Sequence, residues 1–463
     1  MRVGVVTKGV VIHSHAMQEK ITNEEIVARS LKNVWHPCTQ MKHHEQFPLV
    51  PVARGEGAWL IDFEGKRYLD AVSSWWVNLF GHANPRINAA LKDQLDKLEH
   101  VMLAGFTHEP AIRLSERLAR LTGLGHAFYG SDGASAVEIA LKMSFHYWRN
   151  AGKTGKMKFV SLEGGYHGET IGALSVTDVA IFRDVYGALL NNNLLVPFPA
   201  QQHVEQASMG LTAANGPDSI ANASASLETL LVERHHEIAA FIVEPLVQGA
   251  SGMRMYRSDY LRAARALCDK YDVHLIADEI MTGFGRTGTM FAYEQADILP
   301  DFVCLSKGLT GGYLPLSCVL TRDVIYDAFY HDDITRAFLH SHSYTGSALA
   351  CRAALATLDI FESDNVIENN RLKAQRFSAH AEAIRLHEAV KNFRHLGMIW
   401  AFDVNDAKPT FAREFFAASV KRGVLSRPIG NTVYFMPPYV IEDDEFAWLV
   451  EQTIATLNEV NCR

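Results

Sequence analysis

The sequence lacks the marks of several large classes of protein. No uncharged apolar run of about 18 residues occurs along the chain, so we expect no transmembrane helix. The six cysteines, at positions 38, 268, 304, 318, 351 and 462, form no CxxC pair. Their spacing disfavours a zinc ribbon or a disulfide scaffold and fits a reducing compartment, the cytoplasm. Basic residues are not in excess, because the net charge is −8, which disfavours binding to nucleic acid or to an anionic membrane.

What is present is the composition of an ordinary globular protein. The chain has 463 residues, 48% of them hydrophobic and 21% charged, which is enough for about two or three domains. Residues 1–16 contain a short apolar run that Lys8 interrupts, without a clear cleavage pattern, and we interpret them as a non-structural extension. Residues 200–226, rich in Ala, Ser, Asn and Gly, predict a surface loop.

Short apolar runs alternate with stretches of helical periodicity through the middle of the chain. Strand-like runs lie at 127–129, 158–161, 241–243, 273–277 and 302–305. This alternation predicts an α/β fold with a mainly parallel sheet covered by helices on both faces. Before it, residues 57–70 predict a β-hairpin around Glu64-Gly65, and a C-terminal α+β portion follows the last predicted helix, 346–361.

Two charged residues each follow one of these apolar runs. Asp278 ends the run at 273–277, and Lys307 follows the run at 302–305. Ligands of parallel α/β sheets bind outside the carboxyl ends of the strands, so we expect both side chains to face one pocket. A lysine and a carboxylate there suit pyridoxal phosphate, whose aldehyde forms a Schiff base and whose ring nitrogen is protonated beside an acid. The alternative is a surface lysine and an aspartate that caps a helix.

Two glycine-rich turns also have two interpretations each. Residues 130–135, GSDGAS, lie between a strand and a helix, where free N–H groups can hold a phosphate. The alternative is a plain turn capped by Asp132 or Ser135. Residues 283–288, GFGRTG, match the spacing of a dinucleotide-binding loop, but no helix clearly begins at the third glycine, so we disfavour that function. Arg286 inside this loop is expected either to contact the substrate or to brace the loop.

Other candidates lie in irregular stretches. Tyr166, set among glycines, is placed either to cover a planar ring or to pack in a tight turn. Trp75 and Trp76 suit either the core or an apolar substrate channel. Arg427, which precedes a proline, suits a carboxylate or is an ordinary exposed arginine. The segment 340–344, HSHSY, offers hydroxyls and N–H groups but lacks an accompanying carboxylate or cysteine, so we predict no metal site.

Together these motifs resemble the class III (omega-amino) aminotransferases, a family of fold-type I pyridoxal-phosphate enzymes. The resemblance runs from about Val34 to Met436 in the family's order: Glu244-Pro245, then Asp278-Glu279-Ile280 with TGFGRTG at 282–288, then Ser306-Lys307-Gly308. It implies a large cofactor-binding domain at 73–363 and a smaller α+β domain from both chain ends, 17–72 and 364–463. It also implies a homodimer with shared active sites.

The resemblance implies a role for each matching residue. Lys307 would form the Schiff base and later move a proton, Asp278 would pair with the ring nitrogen, and Tyr166 would cover the ring. The cofactor would also contact Gly133, Ala134 and Glu244, together with His342 and Ser343 of the partner subunit. The substrate pocket would include Cys38, Trp75, Trp76, Tyr166, Arg286 and Ser341, and Arg427 would bind the far carboxylate.

Further residues resemble one biosynthetic branch of this family. They are Trp35-His36-Pro37, the SSWW sequence at 73–76, GYHG at 165–168, Arg427-Pro428 and MPPY at 436–439. That branch transfers an amino group from S-adenosylmethionine to 8-amino-7-oxononanoate in biotin synthesis, giving 7,8-diaminononanoate.

The chain departs from the family pattern at two positions. Ala134 stands where a hydroxyl residue is common, which removes one side-chain hydrogen bond to the phosphate. Cys38 stands where an aromatic residue is common, which leaves the amino donor open between S-adenosylmethionine and lysine. Two other functions stay open: an aminotransferase of omega-amino acids or polyamines, and a binding protein on the same fold without catalytic activity.

Overall fold

The computed structural model describes residues 21–47, 49–199 and 217–461. The predicted extension at 1–16 and residues 200–216 of the predicted loop lie outside these ranges. The described strands are β1 (Val52–Glu56), β2 (Trp59–Asp62), β3 (Arg67–Asp70), β4 (His126–Gly130), β5 (Lys158–Leu162), β6 (Leu194–Val196), β7 (Ile238–Val243), β8 (Val247–Gln248), β9 (Arg254–Met255), β10 (His274–Asp278), β11 (Phe302–Leu305), β12 (Ser317–Thr321), β13 (Val390–Leu396), β14 (Ile399–Val404), β15 (Val424–Leu425) and β16 (Thr432–Phe435).

Helices separate most of these strands. The α-helices span Asn23–Asn33, Pro85–Leu95, Glu109–Thr122, Gly133–Asn150, Ile171–Ser175, Ala180–Arg183, Pro217–Arg234, Ser258–Lys270, Asp323–Asp327, Ala348–Ser363, Val366–Arg385, Phe411–Lys421 and Asp443–Asn461. Short 3-10 helices span Met41–Glu45, Asp184–Leu189, His235–Glu237, Ala292–Ala296, Lys307–Thr310 and Ile334–Arg336. None of the described helices is long and apolar enough to cross a membrane.

Local sequence signals set several helix ends. The helix Pro85–Leu95 begins with proline, and the Asn84 side chain accepts hydrogen bonds from the N–H groups of Arg86 and Ile87. The helix Glu109–Thr122 ends at Gly123, whose φ of 73° is the left-handed conformation that favours glycine. Such caps give the long helices fixed ends beside the sheet.

A seven-stranded sheet forms the centre of the molecule, in the order β4-β12-β11-β10-β7-β5-β6. The pairs β11–β10, β10–β7, β7–β5 and β5–β6 are parallel. Strand β12 is antiparallel to both β11 and β4, so β4 runs in the same direction as the other strands. Every residue of β7, β10, β11 and β12 is buried, because helices cover both faces. The predicted α/β fold with a mainly parallel sheet is confirmed.

Two smaller sheets contain residues from the chain ends. The sheet β1-β2-β3-β15 includes the predicted hairpin, in which Trp59 pairs with Leu69 across β2 and β3, and this prediction is confirmed. In the same sheet β15 pairs in parallel with β3, so residues near both chain ends lie side by side. The other sheet, β13-β14-β16, belongs wholly to the C-terminal part. The domain boundaries at residues 72 and 363 stay a prediction.

One predicted loop is partly a helix. Residues 217–226 of the predicted loop 200–226 belong to the helix Pro217–Arg234, so the loop prediction is wrong there. Ala223, Leu227 and Leu231 are buried, and they recur every four residues on one face of that helix. The composition of 200–226 indicated a loop because the two leucines lie beyond its end.

Candidate active site

The carboxyl edge of the central sheet brings together residues that are distant in sequence. Asp278 is the last residue of β10, Glu244 directly follows β7, and Lys307 lies two residues beyond β11. In the sheet register Ala277 pairs with Val243, and Asp278 pairs with Cys304. The neighbouring strands therefore present two carboxylates and one amine at the same edge, where ligands of parallel sheets bind.

The Asp278 carboxylate is buried and held in one orientation. Its Oδ2 lies 2.7 Å from Nδ1 of His167, and its Oδ1 accepts a hydrogen bond of 3.2 Å from the N–H of Ile280. The N–H of His167 in turn donates to Oγ1 of Thr177 at 2.9 Å. His167 was not among the predicted site residues, although its place beside Tyr166 in the glycine-rich turn was a usable signal.

Lys307 lies in a strained and partly buried position. Its backbone has a φ of 44°, and Nζ lies 4.9 Å from the centre of the Trp76 ring. Burial lowers the pKa of the amine, while the carboxylates of Asp278 and Glu244 oppose this effect. Within the described ranges no group forms a hydrogen bond or an ion pair with this Nζ. The lowered pKa increases the fraction of the neutral amine, which is the form that can attack a carbonyl.

Glu244 connects two neighbouring loops through its carboxyl group. Its Oε1 accepts from the N–H of Tyr166 and its Oε2 accepts from the N–H of Gly249, each at 2.9 Å. Complete burial raises the pKa of this carboxyl group to about 7, and the charge of Asp278 acts in the same direction. Glu244 thus fixes the main chain of Tyr166 beside the Lys307 amine.

Tyr166 lies in a turn that packs against the start of the helix Gly133–Asn150. Its hydroxyl donates to Oε1 of Glu169 at 2.8 Å, and burial raises the pKa of this hydroxyl. Gly168 has a φ of 124°, and a Cβ there would lie 2.7 Å from Cβ of Ala134. Only glycine allows the turn to approach the helix this closely.

The helix Gly133–Asn150 begins with free backbone donors. The Asp132 side chain accepts from the N–H of Ser135 at 2.8 Å, and its carbonyl accepts from the N–H of Ala136. The N–H groups of Gly133 and Ala134 have no acceptor among the described residues. Asp132 therefore caps the helix, as the alternative interpretation of the turn predicted. The cap still leaves the N–H groups of Gly133 and Ala134 free to bind an anion at the positive end of the helix dipole.

Trp75 and Trp76 lie in a left-handed turn, Ser73–Trp76. All four residues have positive φ values, between 47° and 73°, and none is glycine. This conformation costs about 1–2 kcal/mol for each such residue. Trp76 is buried and its indole N–H donates to the Tyr434 hydroxyl at 3.0 Å, whereas Trp75 is 40% exposed.

Arg427 lies next to this turn. Its guanidinium carbon is 4.4 Å from the centre of the Trp75 ring, and Nη2 is 3.5 Å from the carbonyl oxygen of Cys38. Cys38 is exposed and has a φ of 53°. No acidic side chain in the described part of the chain pairs with Arg427, so its charge is available to a bound carboxylate.

Arg286 makes buried contacts that favour bracing of the loop over the predicted substrate contact. The side chain is 1% exposed, and its guanidinium donates to the carbonyl oxygens of Pro437 at 2.8 Å and Asn78 at 2.9 Å. It also lies over the Tyr439 ring at 4.8 Å. These contacts of Nη1 and Nη2 hold main chain, which is the bracing role that the sequence left open.

The segment 341–343 lies at the surface. Ser341 and Ser343 are exposed, and Nε2 of His342 is 2.9 Å from Nε2 of His340. His340 Nδ1 is also 2.7 Å from Nζ of Lys142 on the helix Gly133–Asn150. None of the three predicted residues makes a described contact with Lys307 or Asp278 of the same chain. Among the described residues no group of three or more His, Cys, Asp or Glu could hold a metal ion.

Comparison with known proteins identifies the family. The family model described as "Aminotransferase class-III" matches residues 39–457. The chain therefore belongs to the class III aminotransferases. It is 47% identical over 445 residues to the adenosylmethionine-8-amino-7-oxononanoate aminotransferase of Helicobacter pylori, covering 94% of this chain and 98% of that protein.

Solved structures agree with this assignment. The crystal structure of adenosylmethionine-8-amino-7-oxononanoate aminotransferase from Methanocaldococcus jannaschii is similar with a TM-score of 0.87 and 35% identity, covering 95% of this chain and 100% of that one. An amine transaminase from an uncultivated Pseudomonas species, in its PLP-bound form, is similar with a TM-score of 0.84 and 31% identity, covering 92% of this chain and 99% of that one.

Proposed function

We propose that the chain transfers an amino group from S-adenosylmethionine to 8-amino-7-oxononanoate, with pyridoxal phosphate as cofactor, giving 7,8-diaminononanoate for biotin synthesis. The observation that carries this proposal is the juxtaposition of Arg427 with Trp75, beside Trp76 and the Lys307 amine. An arginine without an acidic partner, next to an aromatic wall, suits a long apolar chain that ends in one carboxylate. The names of the similar proteins support the same substrates.

The residues at the sheet edge fit pyridoxal phosphate. Lys307 offers an amine whose pKa is lowered, Asp278 offers an oriented carboxylate, and the N–H groups of Gly133 and Ala134 have no described acceptor. These are the partners that an aldehyde, a ring nitrogen and a phosphate require. When bound, the cofactor supplies a carbonyl that takes up the amino group and a protonated ring that accepts electrons.

Lys307 is the residue that we assign to proton transfer. Its side chain is partly buried, and its Nζ has no hydrogen-bond acceptor among the described residues. A neutral amine can accept a proton at Nζ and return it to a neighbouring carbon. The Trp76 ring, 4.9 Å away, forms one wall of the space around Nζ.

Asp278 and His167 hold charge at the opposite end of the cofactor site. The Asp278 carboxylate would stabilise a proton on a ring nitrogen of the bound cofactor, and the hydrogen bond from His167 fixes the direction of its oxygens. Glu244 holds the Tyr166 main chain, so that the Tyr166 ring covers one face of the site.

The substrate pocket lies between the aromatic turn and the N-terminal segment. Arg427 binds the acceptor carboxylate, Trp75 and Trp76 line its aliphatic chain, and Cys38 lies at the rim together with Ser341 of the partner subunit. Arg286 is assigned to bracing this wall. A cysteine offers no stacking surface to adenine, and stacking is worth about 1–3 kcal/mol per base, so Cys38 weakens recognition of S-adenosylmethionine without removing its other contacts.

We also propose that the protein is a cytoplasmic homodimer. The exposed segment 341–343 has no described contact with the site of its own chain, which supports a role for His342 and Ser343 in the partner's phosphate site. The described cysteines are all free, which supports a reducing compartment.

A single-turnover experiment tests the proposed substrates. Purified enzyme loaded with pyridoxal phosphate is mixed with S-adenosylmethionine or with lysine, and the cofactor spectrum is followed. We expect S-adenosylmethionine to remove the visible absorption band, and 8-amino-7-oxononanoate to restore it. Loss of the band with lysine and not with S-adenosylmethionine would contradict the donor assignment. Activity only with β-alanine, 4-aminobutyrate or putrescine would contradict both substrates, and a spectrum unchanged in Lys307→Ala would contradict the catalytic role.

A further inference from the structure

The turn Ser73–Trp76 is the most strained segment beside the site. Four consecutive residues without a glycine have left-handed φ values, although L-residues adopt this conformation as isolated exceptions. Strain of this kind persists only where the surroundings hold the backbone in place. The contacts of the turn therefore show which residues determine the position of the two tryptophans.

A single buried carboxylate lies under the turn. Asp70, at the end of β3, is fully buried and accepts hydrogen bonds from Ser74 through its N–H at 2.9 Å and its Oγ at 2.7 Å. The same Asp70 Oδ2 lies 3.0 Å from Nε2 of His82. A buried carboxylate with three such donors is fixed in position and resists any change in the Ser74 backbone.

His82 extends this network to the far end of the turn. Its Nδ1 lies 3.2 Å from Nδ2 of Asn78, so the neutral imidazole with its proton on Nε2 satisfies both contacts at once. The fold makes room for this ring, because a Cβ on Gly55 would lie 2.5 Å from Cβ of His82. Asp70 and His82 thus hold both the beginning and the end of the segment that carries the tryptophans.

Other bonds restrain the turn from the opposite side. Oγ of Ser73 donates to the carbonyl oxygen of Met436 at 2.7 Å, and the Arg286 guanidinium donates to the carbonyl oxygen of Asn78. The Trp76 indole donates to the Tyr434 hydroxyl. These bonds fix the turn against the C-terminal part of the chain, while Asp70 determines its handedness.

We propose that Asp70 and His82 are positioning residues, which hold Trp75 and Trp76 in the left-handed turn and so shape the wall for a long aliphatic monocarboxylate. This inference rests on the proposed function for the identity of that substrate. Neither residue contacts the Lys307 amine. Loss of the Asp70 charge therefore weakens binding of the acceptor and leaves the chemical step with the bound cofactor nearly intact.

The test compares Asp70→Asn with Asp62→Asn in the enzyme loaded with pyridoxal phosphate. Asp62 is a matched control, because it is a buried carboxylate of the same sheet that accepts from the Tyr68 hydroxyl at 2.9 Å and from two backbone N–H groups. We expect Asp70→Asn to raise the KM for 8-amino-7-oxononanoate about tenfold with kcat changed less than about threefold. We expect Asp62→Asn to lower the melting temperature and to leave KM unchanged.

Crystal structures of the two variants provide a readout that does not depend on the substrate. The turn should lose its positive φ values in Asp70→Asn and keep them in Asp62→Asn. Unchanged φ values, an unchanged KM, or an equal change of KM in both variants would overturn the inference.

If Asp70→Asn does not fold, Ser74→Ala provides a second test. It removes one hydrogen bond to Asp70 and should also raise the KM for the acceptor. If the wild-type enzyme rejects 8-amino-7-oxononanoate, the proposed function fails. The inference about the turn can still be tested, because KM and kcat of the two variants can be compared with those of the wild type for the acceptor that the enzyme does use.

Discussion

Lys307 and Lys156 are two lysines whose pKa is lowered by burial, in the case of Lys156 to about 8. Their contacts differ. Nζ of Lys156 donates to three carbonyl oxygens, those of His235, Ile238 and Asp272, at 2.7–3.0 Å. Nζ of Lys307 has no hydrogen-bond acceptor among the described residues. Burial makes both amines less basic, but only the amine of Lys307 is free to react, so the contacts and not the pKa distinguish the two.

Substitution of Arg427 tests the recognition of the acceptor carboxylate. Arg427→Ala should raise the KM for 8-amino-7-oxononanoate about 10–100-fold, because a hydrogen bond to a charged group contributes about 1.5–3 kcal/mol. Arg427→Lys should recover part of this loss, since an ammonium keeps the charge but not the two parallel donors. Steady-state kinetics measure both effects, and the cofactor absorption should be unchanged.

Arg413→Ala is the matched control for this substitution. Arg413 also lies over an aromatic ring, 5.9 Å from the centre of Phe47, and contacts His43 rather than a carboxylate. Its replacement should leave the KM for the acceptor unchanged. An equal loss of acceptor and cofactor binding in Arg427→Ala would contradict the assigned role, because it would indicate a general disturbance of the site.

Residue type alone predicted part of the site. Lys307 and Asp278 were found because each follows an apolar run, and such runs end at the edge where ligands bind. Asp70 and His167 were missed, because their importance lies in hydrogen bonds that no sequence pattern indicates, that of Asp70 with Ser74 and that of His167 with the distant Asp278. Arg286 was placed in the right loop but with two possible roles, and only its buried contacts with carbonyl oxygens separated them.

At the scale of elements, the loop that leaves β10 depends on a second buried acid. Glu279 accepts from Oγ1 of Thr282 at 2.6 Å and from the N–H of Tyr293 at 2.9 Å, and it is fully buried. Burial raises the pKa of this carboxyl group to about 7 from an ordinary value of 4.5. Glu279 therefore favours the fold most strongly when it is protonated.

The raised pKa of Glu279 predicts that the stability of the folded protein falls with rising pH, and that Glu279→Gln removes this part of the pH dependence. Between pH 4.5 and about 7, Glu279 binds a proton in the folded state that it has lost in the unfolded state. Its contribution to the free energy of unfolding is therefore complete below pH 4.5 and is lost as the pH rises through 7. The span corresponds to a free energy of unfolding on the order of 3 kcal/mol. The melting temperature of the wild type, measured relative to that of Glu279→Gln, should fall between pH 5 and pH 8.

Glu228→Gln controls for the loss of a carboxyl group as such. Glu228 is exposed, and its hydrogen bond with Lys270 lowers its pKa, so it is ionised in both states throughout this pH range. Its replacement should shift the melting temperature by the same amount at pH 5 and pH 8. A constant difference between wild type and Glu279→Gln across this range would contradict the assigned pKa of Glu279.

Strands and helices were predicted correctly where the local sequence alone determines the structure. The hairpin β2–β3 followed from a turn between two apolar runs, and β10 and β11 followed from their composition. The antiparallel direction of β12 was not predictable, because direction depends on how the chain crosses the sheet and not on side-chain periodicity. The left-handed turn Ser73–Trp76 was missed for a related reason: its conformation is imposed by Asp70, while its own residues favour other structures.

At the scale of the whole molecule, large apolar side chains are exposed beside the segment 341–343. Leu339 is 77% exposed and Tyr344 is 66% exposed. Apolar side chains exposed in this way mark surfaces that bind another protein. Their position next to the residues that we assign to the partner's phosphate site supports a symmetric contact between two copies of the chain.

Co-expression of two defective variants tests whether the active sites are shared. In one variant Lys307 is replaced by Ala, and in the other His342 and Ser343 are both replaced by Ala, so that each homodimer has two damaged sites. In a mixed dimer, one site combines an intact Lys307 with an intact segment 341–343 from the partner subunit, and the other site carries all the substitutions. Random pairing should therefore restore about one quarter of the wild-type specific activity.

Differently tagged chains allow the mixed dimers to be purified and their activity per dimer to be compared with that of each homodimer. We expect about half the wild-type value for the mixed dimer, since one of its two sites is intact, and little activity in either homodimer. A mixed dimer no more active than the sum of its defective halves would show that His342 and Ser343 serve the site of their own chain. Full activity in the homodimer with both His342 and Ser343 replaced would remove this segment from the phosphate site altogether, because an intact Lys307 would then be sufficient.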